Sequence, residues 1–349
     1  MSIRSLLLVA GVLSPSIVLA QTEGEDVHGA RGPDIIVTAP FERERFALPT
    51  AVGVLEGEAL TREVRGTIGE TLARQPGVTA TFFGPNASRP ILRGFDGERV
   101  RILTDGIGSF DVSNTSVDHA VAINPLNATR IEVIRGPASL LYGSGAIGGV
   151  VNVTDRRIAR EIPEEFAHID AIGTLASVND ERSISGSIDV PLGKSGLVVH
   201  ADGSYLKTGD YRAGGYVFSR DVREQAEAIG GDVAEDAEKR GRVDNSDAET
   251  WEVAGGLSWI GDRGNMGISV SRLESNYGIP PTLDLDGDED EESEEEGISR
   301  EMGGKGGEEI RLDMRPTRLD ARAEVIVGSG FLDSVKFRFG WADYVHDEV

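Results

Sequence analysis

Hydrophobic and polar residues alternate along the second half of this chain. Seven segments beyond Phe166 carry the two-residue period of half-buried strands: HIDAIGTLASV, RSISGSIDV, LVVHADGSYLK, ETWEVAGGLSWI, NMGISVSRLESNY, IRLDMRPTRLDARAEVIV and FLDSVKFRFGWADYVHDEV. In the last of them Val335, Phe337, Phe339 and Trp341 share one face, and Lys336, Arg338, Tyr344, His346 and Glu348 share the other. Trp251, Val253, Leu257 and Trp259 likewise stand opposite Glu252 and Ser258. PLGKSG, GDRG and GSG join strands two to three, four to five and six to seven, whereas the third-to-fourth and fifth-to-sixth connections take roughly 35 residues each, a pairing of short turns with long loops that suits a transmembrane barrel. A soluble β-sandwich has the same period without those paired lengths. The only helix this region suggests lies near Arg223.

From about Phe46 to Val153 the pattern is compact α+β. Thr67-Ile68-Gly69-Glu70-Thr71-Leu72-Ala73-Arg74 reads as a short amphipathic helix, with Thr67 as N-cap and Glu70 completing a capping box. Gln75-Pro76-Gly77-Val78 ends it. Short strands follow: ILRGF, RVRILTDG with an Asp105-Gly106 turn, and RIEVIRG. One helical turn at Ser139 to Gly143 precedes the strand VVNV. Ahead of this domain, a polar linker leads to Asp34, Ile35, Ile36, Val37, Thr38 and Ala39 before Pro40, a β-branched run too short to own a core but suited to pairing with another protein's strand. MSIR and the apolar LLLVAGVLSPSIVLA before Gln21 have the form of a secretory signal. No second stretch reaches the ~20 apolar residues of a membrane helix, so a membrane protein of this composition must be a β-barrel.

Composition narrows the chemistry. The 349 residues include 45 glycines, about twice the usual share. With no cysteine, disulfide scaffolds and thiolate zinc clusters are excluded. A formal charge of −24 repels phosphates and argues against nucleic acid as a partner.

Several motifs fail on context. Gly143 to Gly148 fits GxGxxG, but a helical turn precedes it and a strand follows, the reverse of a dinucleotide site. Gly193-Lys194-Ser195 ends like a P-loop, with Ile188 where the first glycine belongs. The five histidines form no HExxH and no Ser/His/Asp pattern, so no enzyme is expected and no catalytic cofactor. Asp118-His119, in the Ser/Asn-rich stretch DVSNTSVDHA, pairs a hard with a borderline ligand where side chains can converge on a cation. The run DLDGDEDEESEEE sets Asp284, Asp286, Asp288, Asp290, Glu292 and Glu295 at EF-hand spacing, but Glu289 replaces the glycine that the turn requires. It reads instead as a charged loop between strands five and six, on the side of the long connections, attracting cations without selecting one.

The order of these features resembles a TonB-dependent outer-membrane receptor, on the strength of DIIVTAP, RPILRGFDGERVRILTDGI and RIEVIRGPASLLYGSGAIGGVVNV. The resemblance implies a signal peptide at 1–20, a linker at 21–45 with a TonB box at 34–39, a plug at 46–157, and the first seven or so strands of an antiparallel transmembrane barrel, incomplete, at 165–349. It implies residence in the outer membrane, contact with its lipid, and energy delivered by TonB and its inner-membrane complex. Plug residues Arg93, Arg135 and Glu132 are then expected to face barrel-wall charges. TSVDHAVAINPLNATRIEVIRGPASLLYG and NYGIPP are similar to the zinc-importing branch, in which a plug Asp-His pair and barrel groups bind the metal. That assigns Asp118 and His119, with His346 and Glu348 as barrel candidates, to Zn²⁺ or another divalent cation. The acidic run stands where that branch carries histidines, which leaves uptake of a ferric siderophore or other organic cofactor as the alternative. Because the sequence stops within a strand at Val349, the expectation is a fragment or a truncated, non-transporting surface product.

Overall fold

β-branched residues between glycine turns build the first layer. In the computed structural model, which describes residues 35–36, 43–44, 52–283, 285, 309–329 and 332–349, β1 (Ile35–Ile36) pairs antiparallel with β2 (Arg43–Glu44). Residues 1–34, where a signal peptide and Asp34 of the TonB box are expected, Val37, Thr38, Ala39 and the acids Asp284, Asp286, Asp288, Asp290, Glu292 and Glu295 lie outside the described residues. β3 (Val52–Glu56) is followed by α1 (Gly57–Glu63), α2 (Ile68–Leu72), and the pair β4 (Val78–Ala80) and β5 (Pro90–Leu92). Then come β6 (Val100–Thr104), β7 (Ile107–Gly108), β8 (Arg130–Ile134) and β9 (Gly149–Thr154).

These strands form a five-stranded sheet in the order β3-β8-β9-β6-β7, in which only β6 and β9 run parallel. All six residues of β9 are buried, as befits a strand covered on both faces. Leu60, Ile68 and Leu72 of the two helices pack on Leu55, Val100, Ile131 and Val151. Thr67 caps α2 as expected, its side chain accepting from the Glu70 amide at 3.3 Å. Asp105 at φ 49° and Gly106 at φ 82° close the β6–β7 hairpin with two positive-φ residues, the turn that matches strand twist. The turn expected before VVNV is a 3₁₀ helix, Pro137–Tyr142.

Nine further strands make one antiparallel sheet: β10 (His168–Ala176), β11 (Glu181–Pro191), β12 (Leu197–Thr208), β13 (Ala248–Gly261), β14 (Gly264–Gly278), β15 (Arg311–Met314), β16 (Thr317–Ser329), β17 (Leu332–Asp343) and β18 (His346–Glu348). They are the seven alternating segments, the sixth and seventh each interrupted once. β14 pairs with β16 along its first half and with β15 at its far end, in one unbroken register. β16 and β15 in turn pair with β17 and β18 in a single register as far as Ile326–Ser334, beyond which an irregularity shifts the pairing to Ser329–Leu332. The interruption falls at Pro316, which has no amide hydrogen to give the ladder.

The two faces separate as the alternation requires. Val253, Leu257, Trp259, Val335, Phe337, Phe339 and Trp341 are exposed on the outer face, while Glu252 and Ser258 are buried against the first layer. Such an apolar outer band beside a polar inner face is the signature of a barrel wall in lipid. Among the described strands the sheet is open, with β10 at one edge and β17 at another. No described helix is long and apolar enough to cross a membrane. The long β12–β13 connection holds two helices where at most one was expected, α3 (Arg220–Ile229) and α4 (Gly231–Ala237). Ser219 caps the first by accepting from the Val222 amide, and Gly230 at φ 82° ends it.

Candidate functional site

The stretch from Ser109 to Asn124 is neither helix nor strand, so its backbone groups need other partners. Asp111 supplies a partner for two of that stretch's amides. Its carboxylate accepts from the Ser113 amide at 3.1 Å, the Ser113 hydroxyl at 2.6 Å and the Ala122 amide at 3.0 Å. One acid thus closes the loop that presents Asp118 and His119.

Asp118 Oδ1 accepts from the Ser116 hydroxyl and lies 2.8 Å from His119 Nδ1. Burial opposes the Asp118 charge, but the hydrogen bonds from His119 and Ser116 hold its carboxyl down at about 2. An ionised carboxylate only accepts, so His119 donates to it from Nδ1 and turns Nε2 the other way. That nitrogen faces the barrel wall, 3.6 Å from Glu348 Oε1. The His346 ring stacks on His119 with centroids 4.4 Å apart and planes at 22°. Tyr344 Oη lies 3.3 Å from His346 Nδ1, and His346 Nε2 is buried with no hydrogen-bond partner. Ligand atoms of His119, His346 and Glu348 all lie within 4.8 Å of one another.

The structure therefore gathers three of the four residues assigned to a metal. The fourth, Asp118, stands behind His119 in the arrangement by which a carboxylate orients a ligating imidazole. Two imidazoles and a carboxylate suit a Zn²⁺-like ion.

A second polar cluster, not anticipated from sequence, links the segment after β9 to the wall. Arg157 Nε and Nη2 donate to the two oxygens of Asp202 at 2.9 and 3.0 Å, and Nη2 lies 2.6 Å from Glu252 Oε1. Asn127 Nδ2 donates to Glu252 at 2.9 Å. His200 lies between Asp189 at 2.7 Å and Asp202 at 2.9 Å, one carboxylate on each ring nitrogen, so both nitrogens carry protons. A Cβ at Gly256 of β13 would collide with the Arg157 carbonyl, which explains a glycine where the chain passes so close. Arg93, Arg135 and Glu132 were the plug residues expected to face barrel-wall charges. Glu132 pairs with Arg130 at 2.9 Å within the first layer, and Arg135 and Arg93 are near enough to repel.

Residues 44–150 match the TonB-dependent Receptor Plug Domain. Over 119 residues the chain is 39% identical to the hemin receptor of Yersinia pestis, a match covering 34% of this chain and 17% of that protein. The siderophore receptor PirA from Acinetobacter baumannii has the same fold at 18% identity and a TM-score of 0.54, over 88% of this chain and 49% of PirA. The copper transporter OprC aligns at 16% identity with a TM-score of 0.57, over 85% of this chain and 38% of its own. None of these three is named for zinc. The chain thus spans about half of PirA's length, with the hemin receptor matched over a smaller share. A plug followed by the strands of a partial barrel is the architecture, and the outer membrane is its location.

Proposed function

We propose, from a plug and barrel wall that reside in the outer membrane, that this chain takes up an iron chelate, hemin or a ferric siderophore, with energy supplied by TonB. The observation that carries this reading is the 39% identity to a hemin receptor across 119 residues, beside a plug-domain match over residues 44–150. Ile35 and Ile36 already adopt the strand conformation by which a TonB box would pair with its partner. The test is uptake of radiolabelled iron by a heterologous host lacking its own receptors, with and without TonB. Accumulation of iron from hemin or a siderophore only when TonB is present is the expected result. Equal accumulation in both hosts overturns it.

A second reading is favoured by one feature of the site: the same importer loads a divalent cation at His119, His346 and Glu348. Three donors around one point suit a bare ion better than a chelate whose metal is already enclosed. Under this reading His119→Ala/His346→Ala abolishes Zn²⁺ accumulation and leaves iron-chelate uptake intact. Unchanged Zn²⁺ uptake in that double variant excludes it.

A further inference from the structure

One barrel residue holds both peptide neighbours of His119. Tyr277, in the NYGIPP stretch at the outer end of β14, is fully buried among Ala87, Ala120, Ala248, Leu273, Leu312 and Met314. Its hydroxyl accepts from the Ala120 amide at 2.8 Å and lies 3.5 Å from the Asp118 carbonyl. The strand register adds a second constraint: Tyr277 pairs with Leu312, and Leu312 pairs with Glu348. Tyr277, Leu312 and Glu348 therefore form one row across three adjacent strands, all on the inward face. The row that carries a barrel donor also carries the tether of the plug donor.

We propose that Tyr277 is a positioning residue for the His119, His346 and Glu348 site, fixing the plug-borne imidazole at the distance the two barrel-borne donors require. Resting on the divalent-cation reading above, this inference assigns the hydroxyl, rather than the ring, the task of setting ligand geometry. The ring packs the core, Ala120 included, and tolerates Phe, whereas only the hydroxyl hydrogen-bonds the loop backbone. Loss of a group that orients a metal ligand typically lowers metal affinity by about 10- to 100-fold.

Co²⁺ titration of the detergent-solubilised protein, followed by its d–d absorption, tests the inference on four proteins: wild type, His119→Ala, Tyr277→Phe and Leu273→Ala. Leu273→Ala loosens the same apolar cluster without touching the hydroxyl. The expected result is a tetrahedral-type spectrum in wild type, none in His119→Ala, at least about a tenfold weaker Kd with an altered spectrum in Tyr277→Phe, and a wild-type spectrum in Leu273→Ala. If Tyr277→Phe matches wild type while His119→Ala is silent, the positioning role is overturned and the site stands. An equal spectral change in Leu273→Ala and Tyr277→Phe also overturns it, because packing then suffices. If wild type and His119→Ala titrate alike, the divalent-cation reading itself has failed.

Discussion

Arg157 stands between two acids that would otherwise face each other. With side chains 11%, 3% and 6% exposed for Arg157, Asp202 and Glu252, the triad is held out of water and every charge in it depends on the others. Replacing Arg157 with Met keeps the length of the side chain and removes its charge, leaving buried Glu252 without its cation and Asp202 with His200 alone. We expect a loss of about 3 to 5 kcal/mol in unfolding free energy, read by denaturant titration in detergent. Asp105 behaves in the opposite sense. Burial, then repulsion from Asp155, pushes its carboxyl up to about 6 from 3.8, against the pull of Arg160, Arg322 and Arg338. The fold thus binds this proton more tightly than the unfolded chain does. Its contribution to stability is full below about pH 4 and is lost as pH rises through about 6. Asp105→Asn, which the left-handed φ of 49° accommodates, should stabilise the protein by about 1 to 3 kcal/mol at pH 7.5. Melting curves across pH check this, the gain over wild type shrinking towards zero near pH 4.

At the scale of elements, the strands were the most legible part of the sequence. Alternation along seven segments requires only neighbouring residues, and sidedness followed from it, as in Phe337 and Phe339 outward and Glu252 inward. Thr67 as N-cap and Asp105-Gly106 as a turn were equally local signals. The helices α3 and α4 were under-read, although Ser219 and Gly230 bracket the first with the residues that begin and end a helix. The sixth segment's interruption was written in Pro316, but a proline does not say whether register is kept. It is kept, so β15 and β18 prolong β16 and β17 outward through two very short ladders, four paired residues between β14 and β15 and three between β15 and β18. Short ladders beside a missing hydrogen bond open more readily than long ones. Amide hydrogen exchange should therefore be faster in β15 and β18 than in β16 and β17, and equal protection in both would contradict separate opening of the outer strand ends.

Across the whole molecule, what the sequence concealed is what joins the two layers. Asp118 and His119 were adjacent, and their pairing with His346 and Glu348 came from a family resemblance rather than from spacing. Nothing local announces that Tyr277 reaches Ala120, or that Arg157 reaches Glu252. Each partner lies roughly a hundred residues or more away, and only the folded register brings them together. The two joins differ in kind. At Arg157 the plug is moored by a dry cluster of charges, while at Ala120 it is held by one neutral hydroxyl. Charge-assisted bonds are roughly twice as strong as neutral ones. Of these two moorings, then, the charged cluster at Arg157 resists separation of plug from wall more than the single neutral contact at Ala120 does.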